Sequence, residues 1–311
     1  MSSRASTSAP QPKAAAPEHV ASLSSLAAPA AHPHRFFRSL LFAADVLLVL
    51  SFLLAAYGAT WEYATRRYLK GFSDAVIPES ASGEEKIEAI LQWMAHGPAR
   101  WDARIKTLLP DRDPTDTLNN AALLSVCGSA TNAFVNLADT GGLSSRRLLL
   151  LDSRDLTKHV VAEVLVSGRW IVVDPAYRVM WRGADGRPLT RQELADPVVF
   201  AAATRAAQNY LPAYSFEHSV HVRMARFWGL GKILGNALDR RFPSWQESAV
   251  VSLVLERESL ATLIAAGFLL VLFAVWRAVL RWYGGKRLGV QVVRIRDRFR
   301  QAWRVSEDAV G

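Results

Sequence analysis

Cysteine is nearly absent from this 311-residue chain, which has only Cys127. A disulfide framework within the chain is therefore excluded. A structural zinc site is disfavoured as well, because such sites take four ligands and prefer more sulfur. The net charge is +9, yet no nucleic-acid-binding motif accompanies it, so nucleic acid is not an expected partner. No internal repeat is evident, which argues against a solenoid. Acidic residues are scarce at both ends. Ahead of residue 39, Arg4, Lys13, Arg35 and Arg38 face only Glu18. Beyond Trp276, Arg277, Arg281, Lys286, Arg287, Arg294, Arg296, Arg298, Arg300 and Arg304 face Asp297, Glu307 and Asp308.

What is abundant is apolar surface, and it is concentrated. One block runs from Ser39 to Thr60, interrupted by Asp45, and a second from Leu260 to Trp276, continuing past Arg277 to Leu280. A bilayer core of about 30 Å needs about 20 helical residues, so both blocks are long enough to span it. Trp61 and Tyr63 follow the first block and Trp282 and Tyr283 the second, where a headgroup belt places aromatics. The first block reads as an anchor and not a cleaved signal peptide, because its leader and its apolar run are both too long. Asp45 sits near the cytoplasmic end of that block, where reaching the interface is favoured over a contact with a partner helix. Basic residues gather on the cytoplasmic side of membrane proteins. The expected topology is thus a two-pass protein of the inner (cytoplasmic) membrane, with both termini cytoplasmic and the central segment extracytoplasmic. The basic C-terminal tail is expected to touch anionic lipid.

The organisation that follows is a disordered cytoplasmic tail over 1–38, a transmembrane helix over 39–60 and an extracytoplasmic domain over 61–210. A membrane-proximal helical segment over 211–258, a second transmembrane helix over 259–280 and a basic cytoplasmic tail over 281–311 complete it.

Within the domain, Gly83 to His96 carries acids at its start and places Ile87, Ile90, Leu91 and Met94 on one helical stripe, ended by Gly97-Pro98. A polar stretch with Pro110 and Pro114 follows. Val126, Ala130, Ala133, Phe134 and Leu137 form the next stripe, closed by Gly141-Gly142. Leu148 to Leu151 reads as a short strand. His159–Val166 and Arg169–Asp174 read as two strands joined by the two-residue turn Ser167-Gly168. A helix followed by an antiparallel sheet indicates an α+β domain. Further on, Val220, Met224, Phe227, Leu230, Leu234 and Leu238 fit a helical stripe, either packed on the domain or lying on the membrane.

Three residues point to chemistry. Cys127 stands at a helix start, where unpaired N–H groups and partial positive charge favour the thiolate and could hold an oxyanion. If Ser167-Gly168 is the turn, residues summing to 335 face each other, so His159 and Asp174 are diagonal neighbours on one sheet face. Such neighbours lie about 7–8 Å apart at the backbone, within reach of a His–Asp hydrogen bond. A carboxylate there would set the imidazole tautomer and leave the other nitrogen to take the thiol proton. A single thiol can equally be a buried small hydrophobe, and His159 and Asp174 an ordinary pair. His218 and His221 stand one helical turn apart, with a solvated face the favoured reading over a metal pair. Glu163 shares the face of His159 and reads as structural. Asn119 and Asn120 are candidate oxyanion donors because they precede the Cys127 helix.

Here the chain resembles the bacterial transglutaminase-like superfamily, with its papain-related thiol fold. The residues that carry the resemblance are Cys127, Gly142-Leu143-Ser144-Ser145-Arg146, His159 with Glu163-Val164, Gly168-Arg169-Trp170 and Asp174-Pro175. The likeness covers Cys127 to Pro175, with a vaguer extension back to the helix at Gly83. Val161 stands where the family often has an aromatic, and Gly128 where the animal enzymes have tryptophan. The resemblance implies a Cys-bearing helix packed on an antiparallel sheet, with Cys127 as nucleophile, His159 as general base and acid, and Asp174 as orienting group. It implies attack on an amide or ester carbonyl, in hydrolysis or acyl transfer, on a peptide or protein substrate of the cell envelope. No metal or organic cofactor is implied. The rival expectation is a non-catalytic, membrane-tethered assembly or binding protein of envelope or exopolysaccharide machinery on the same fold, working with partner membrane proteins.

Overall fold

In chain order, the described residues form helices before and after one antiparallel sheet. The computed structural model describes residues 32–97, 113–205, 207, 210–211, 214–223 and 228–288. The expected tails therefore lie largely outside the described residues, as do Pro110, Met224 and Phe227. The first element, α1 (His32–Val76), is followed by α2 (Gly83–His96), α3 (Pro114–Asn119), α4 (Ala121–Leu124) and α5 (Cys127–Thr140). Strands β1 (Ser145–Leu151), β2 (Thr157–Val166), β3 (Arg169–Asp174) and β4 (Val179–Met180) come next. After α6 (Arg191–Leu194), α7 (Pro197–Thr204) and the short β5 (Ser219–Val220), the chain ends in α8 (Trp228–Arg241), a 3₁₀ turn (Trp245–Glu247), α9 (Ala249–Glu256) and α10 (Glu258–Arg287).

Among the described residues, two helices are long and apolar enough to cross a membrane: α1 over Phe36–Val76, and α10. Only 11% and 6% of their most apolar windows is buried. The chain forms two compact units, the larger being Asp45–Trp276. In the smaller unit the Phe37 ring lies against Gly284. In the larger, α1 and α10 approach closely at Gly58, where an added Cβ would stand 3.1 Å from the Leu263 backbone. Close approach over a residue without a side chain is how apolar helices gain packing contacts when no hydrophobic driving force separates them from lipid.

α1 runs well past Thr60 because its stripe changes partner, not period. Leu69 and Ile77 are buried in the domain core, with Phe72 and Val76 packed against it. The Ser73 hydroxyl donates to the Leu137 carbonyl of α5 at 3.1 Å. α2 begins at a capping box, Ser82 with Glu85, and buries the four expected residues Ile87, Ile90, Leu91 and Met94.

The sheet order is β4-β3-β2-β1-β5, all pairs antiparallel. The β2–β3 register pairs Val166 with Arg169 and Ala162 with Val173, as the turn arithmetic requires. Ser167 (φ 49°) and Gly168 (φ 79°) both occupy the left-handed region, the signature of the tight hairpin turn whose twist matches the strands. One sheet face, with Ala162, Val164, Ile171 and Val173, packs on α5, α2 and α1. The other, with Leu148, Leu150, Val161 and Val172, packs on Trp181, Leu189, Leu194 and Phe216.

Two expectations fail beyond the sheet. Val220 lies in strand β5, paired with Leu149, and not on a helical stripe; the helix there starts at Trp228. His218 and His221 flank that strand, and His221 is buried, not solvated. Alternation along an edge strand put its ring inside, where a helical reading of the same spacing put it in water.

Candidate active site

α5 is buried along nearly its whole length, from Ala130 through Ala138, and points its N-terminus at the open edge of β2. That edge exists because β3 stops pairing with β2 at Ala162–Val173 and turns away after Asp174. Val160 therefore has backbone groups with no strand beside them, and α5 takes them. The Thr131 hydroxyl donates to the Val160 carbonyl at 3.0 Å. The Val160 and Gly128 backbone amides hydrogen bond to the Cys127 sulfur.

Cys127 packs with Leu149, Leu151, Val160 and Val220 on the helix side of the sheet. His159 and Asp174 share their parity with Val161 and Val172 and belong to the opposite face. The thiol reaches them around the bare edge of β2. His159 Nε2 and Asp174 Oδ2 are 2.7 Å apart, with the two residues 2% and 0% exposed. Asp174 Oδ1 accepts from the amides of Ala176 (3.1 Å) and Tyr177 (3.2 Å), so the carboxylate is clamped on both oxygens. The imidazole also hydrogen bonds to Cys127. With Nε2 held by Asp174, Nδ1 is the nitrogen left for the thiol.

The electrostatics agree with this chain of contacts. The hydrogen bond to His159 holds the Cys127 thiol below its ordinary range; burial opposes this, and the charge of His159 and the two amides add to it. For His159, burial alone would push the pKa down, but hydrogen bonds to Asp174 and Cys127 outweigh it and raise the value to about 9. Both shifts run in the direction that favours a thiolate–imidazolium pair over the neutral pair.

Three tyrosines surround the imidazole, and sequence reasoning did not find them. Tyr214 stacks on it at 4.2 Å with 10° between the planes. Tyr177 and Tyr210 meet it edge-on at 5.8 and 6.0 Å. Burial and the neighbouring Asp174 carboxylate keep the Tyr210 phenol protonated far above neutrality. Tyr177 could have been suspected from its place three residues after Asp174. Tyr210 and Tyr214 carry no signal beyond their spacing of four.

The asparagines do other work. Asn119 Nδ2 donates to the Tyr68 hydroxyl (2.8 Å) and the Thr115 carbonyl (2.7 Å), and Asn120 Oδ1 caps α4 through Ala122 and Leu123. The start of α5 supplies an alternative: its N-cap, Val126, makes no side-chain cap, so first-turn amides remain for a ligand. A Cβ added to Gly128 would meet open space, so the approach beside the thiol is clear.

Glu163 is held by partners other than His159. Its Oε2 lies 2.7 Å from both Arg146 Nε and His221 Nε2, and the Arg146 guanidinium sits 3.9 Å over the Trp170 ring. Buried Arg146 and Glu163 and half-buried Trp170 thus form one brace across β1, β2 and β3. Among the described residues no three His, Cys, Asp or Glu side chains converge to hold a metal ion. Comparison with protein-family models, with characterised proteins and with solved structures gives no match.

Proposed function

We propose that this protein is a membrane-anchored thiol enzyme of transglutaminase-like character, attacking an amide or ester carbonyl through Cys127, His159 and Asp174. The observation that carries the reading is the buried His159–Asp174 hydrogen bond with the half-buried Cys127 thiol next to the imidazole, at an uncapped helix start. In this mechanism the Cys127 thiolate adds to the carbonyl carbon, and first-turn amides of α5 steady the developing oxyanion. His159 passes its proton to the leaving amine or alcohol as the thioester forms. Water or an acceptor amine then attacks the thioester, giving up a proton to His159, and the thiolate leaves. Asp174 holds the ring in register and stabilises its charged form throughout.

The proposed setting is the inner membrane, with both termini cytoplasmic and the domain outside, so the substrate would be a peptide or protein amide of the cell envelope. The basic flanks support the setting, and the motif resemblance from Cys127 to Pro175 supports the substrate class.

The test is the pH dependence of iodoacetamide labelling of Cys127 in the full chain in detergent, alongside His159→Ala. Rapid labelling at pH 6 that slows in the variant supports the activated pair and justifies a substrate screen. Labelling that rises only near pH 8.5, about the value of a free thiol, and ignores the variant would instead favour a tethered scaffold.

A further inference from the structure

A second concave site lies along α1 where it leaves its apolar block. It is a groove of about 590 Å³ lined by Tyr63, Arg66, Arg67, Lys70, Gly71 and Asp74, with Asp139, Thr140 and Gly142 opposite. Its carboxylates are already matched: Asp74 pairs with Lys70, and Asp139 accepts from Arg257 at 2.8 Å. Arg66 and Arg67 are exposed and, among the described residues, neither has a carboxylate partner. Arg67 makes only a long contact of 3.4 Å to the Tyr63 hydroxyl. Among the described residues, the groove therefore carries two guanidinium groups without a carboxylate partner.

Its height relative to a bilayer follows from the helices. The Ser259 hydroxyl donates to Glu62 at 2.7 Å, which sets the ends of the two apolar runs, Thr60 and Leu260, nearly level. At 1.5 Å per residue, Arg66 and Arg67 stand about 9–10 Å beyond Thr60. A headgroup layer is about 5–8 Å thick on each side, so both side chains reach down into it. Tyr63 sits within that layer. Topology offers no reason for these cations, since basic residues are favoured on the opposite flanks. Guanidinium groups bind phosphate through paired N–H donors.

We propose that this groove holds the phosphate of an anionic membrane lipid in the leaflet facing the central domain, with Arg66 and Arg67 as its ligands. The site lies at the C-terminal end of α5, the far end from Cys127, and is independent of the thiol chemistry.

The test is native mass spectrometry of the full chain titrated with phosphatidylglycerol or phosphatidylcholine. It compares wild type with Arg66→Gln/Arg67→Gln and with Arg66→Lys/Arg67→Lys. Both side chains are exposed and, among the described residues, make no ion pair, so folding should survive; thermal unfolding checks this. The expected result is one tightly held phosphatidylglycerol, weakened at least about tenfold by the glutamine pair and largely kept by the lysine pair. Equal phosphatidylglycerol retention in wild type and the glutamine variant overturns the proposal, as does equal affinity for phosphatidylcholine. Displacement by inorganic phosphate at matching concentration would reassign the groove to a free anion and overturn the lipid.

Discussion

The imidazole of His159 and the phenol of Tyr214 lie parallel, 4.2 Å apart. The stack fixes the plane in which Nε2 meets Asp174 and leaves Nδ1 toward Cys127, and it keeps water from the 2.7 Å bond. Offset or stacked ring pairs contribute about 0.5–1.5 kcal/mol beyond area burial. Tyr214→Ala should therefore slow iodoacetamide labelling at pH 6 about two- to tenfold, while Tyr214→Phe stays near wild type. Equal rates in all three proteins would show that the ring does not position the imidazole.

Asp174→Asn keeps an oxygen for the amides of Ala176 and Tyr177 but removes the charge beside His159. The His159 pKa should fall from about 9, and with it the imidazolium that holds the thiolate. Labelling at pH 6 should drop at least about tenfold, as expected when a shift exceeds one unit. NMR titration of the His159 ring would read the pKa directly, and an unchanged value would refute the assignment.

Stability should fall on the alkaline side. The folded pKa of His159 is raised to about 9 from 6.5, so its contribution is complete below pH 6.5 and lost as pH rises through about 9. The loss is at most about 3–4 kcal/mol. Thermal unfolding between pH 6 and 10 should show it in wild type and a smaller decline in Asp174→Asn.

Glu163→Ala leaves Arg146 and His221 buried without their shared carboxylate. Removing one partner of a buried pair costs about 3–5 kcal/mol. The variant should unfold well below wild type, yet when folded at low temperature it should label at Cys127 with the wild-type pH profile. A shifted profile would mean that Glu163 acts on the thiol site.

Arg257 is 1% exposed and donates to Glu62 (3.1 Å), Asp139 (2.8 Å) and Asn136 (2.7 Å). It ties α1, α5 and the start of α10 together. Arg257→Met should destabilise by about 3–5 kcal/mol, and adding Glu62→Gln should recover part of that loss. Unfolding of both variants in one detergent would decide, and no recovery would indicate that the two charges are not coupled.

Much of this architecture is readable from local pattern. Two apolar runs of membrane-spanning length, the helix Gly83–His96 and the helix beginning at Cys127 follow from period and punctuation. So does the hairpin, because Ser167-Gly168 admits one register and the period-two alternation of strands then places His159 and Asp174 on one face. The structure joins those two side chains and adds Cys127. What could not be read is anything set by where elements stop or cross. That β3 leaves β2 at Ala162, opening the edge through which the Cys127 thiol reaches the far face, is a property of the sheet as a whole. The tyrosines around His159, the burial of His221 on Glu163 and the place of Arg257 between Glu62 and Asp139 are contacts across 18 to 195 positions of sequence at most loosely patterned. Short-range periodicity carries information over a turn or a strand pair; partners that distant meet only once packing has chosen the faces.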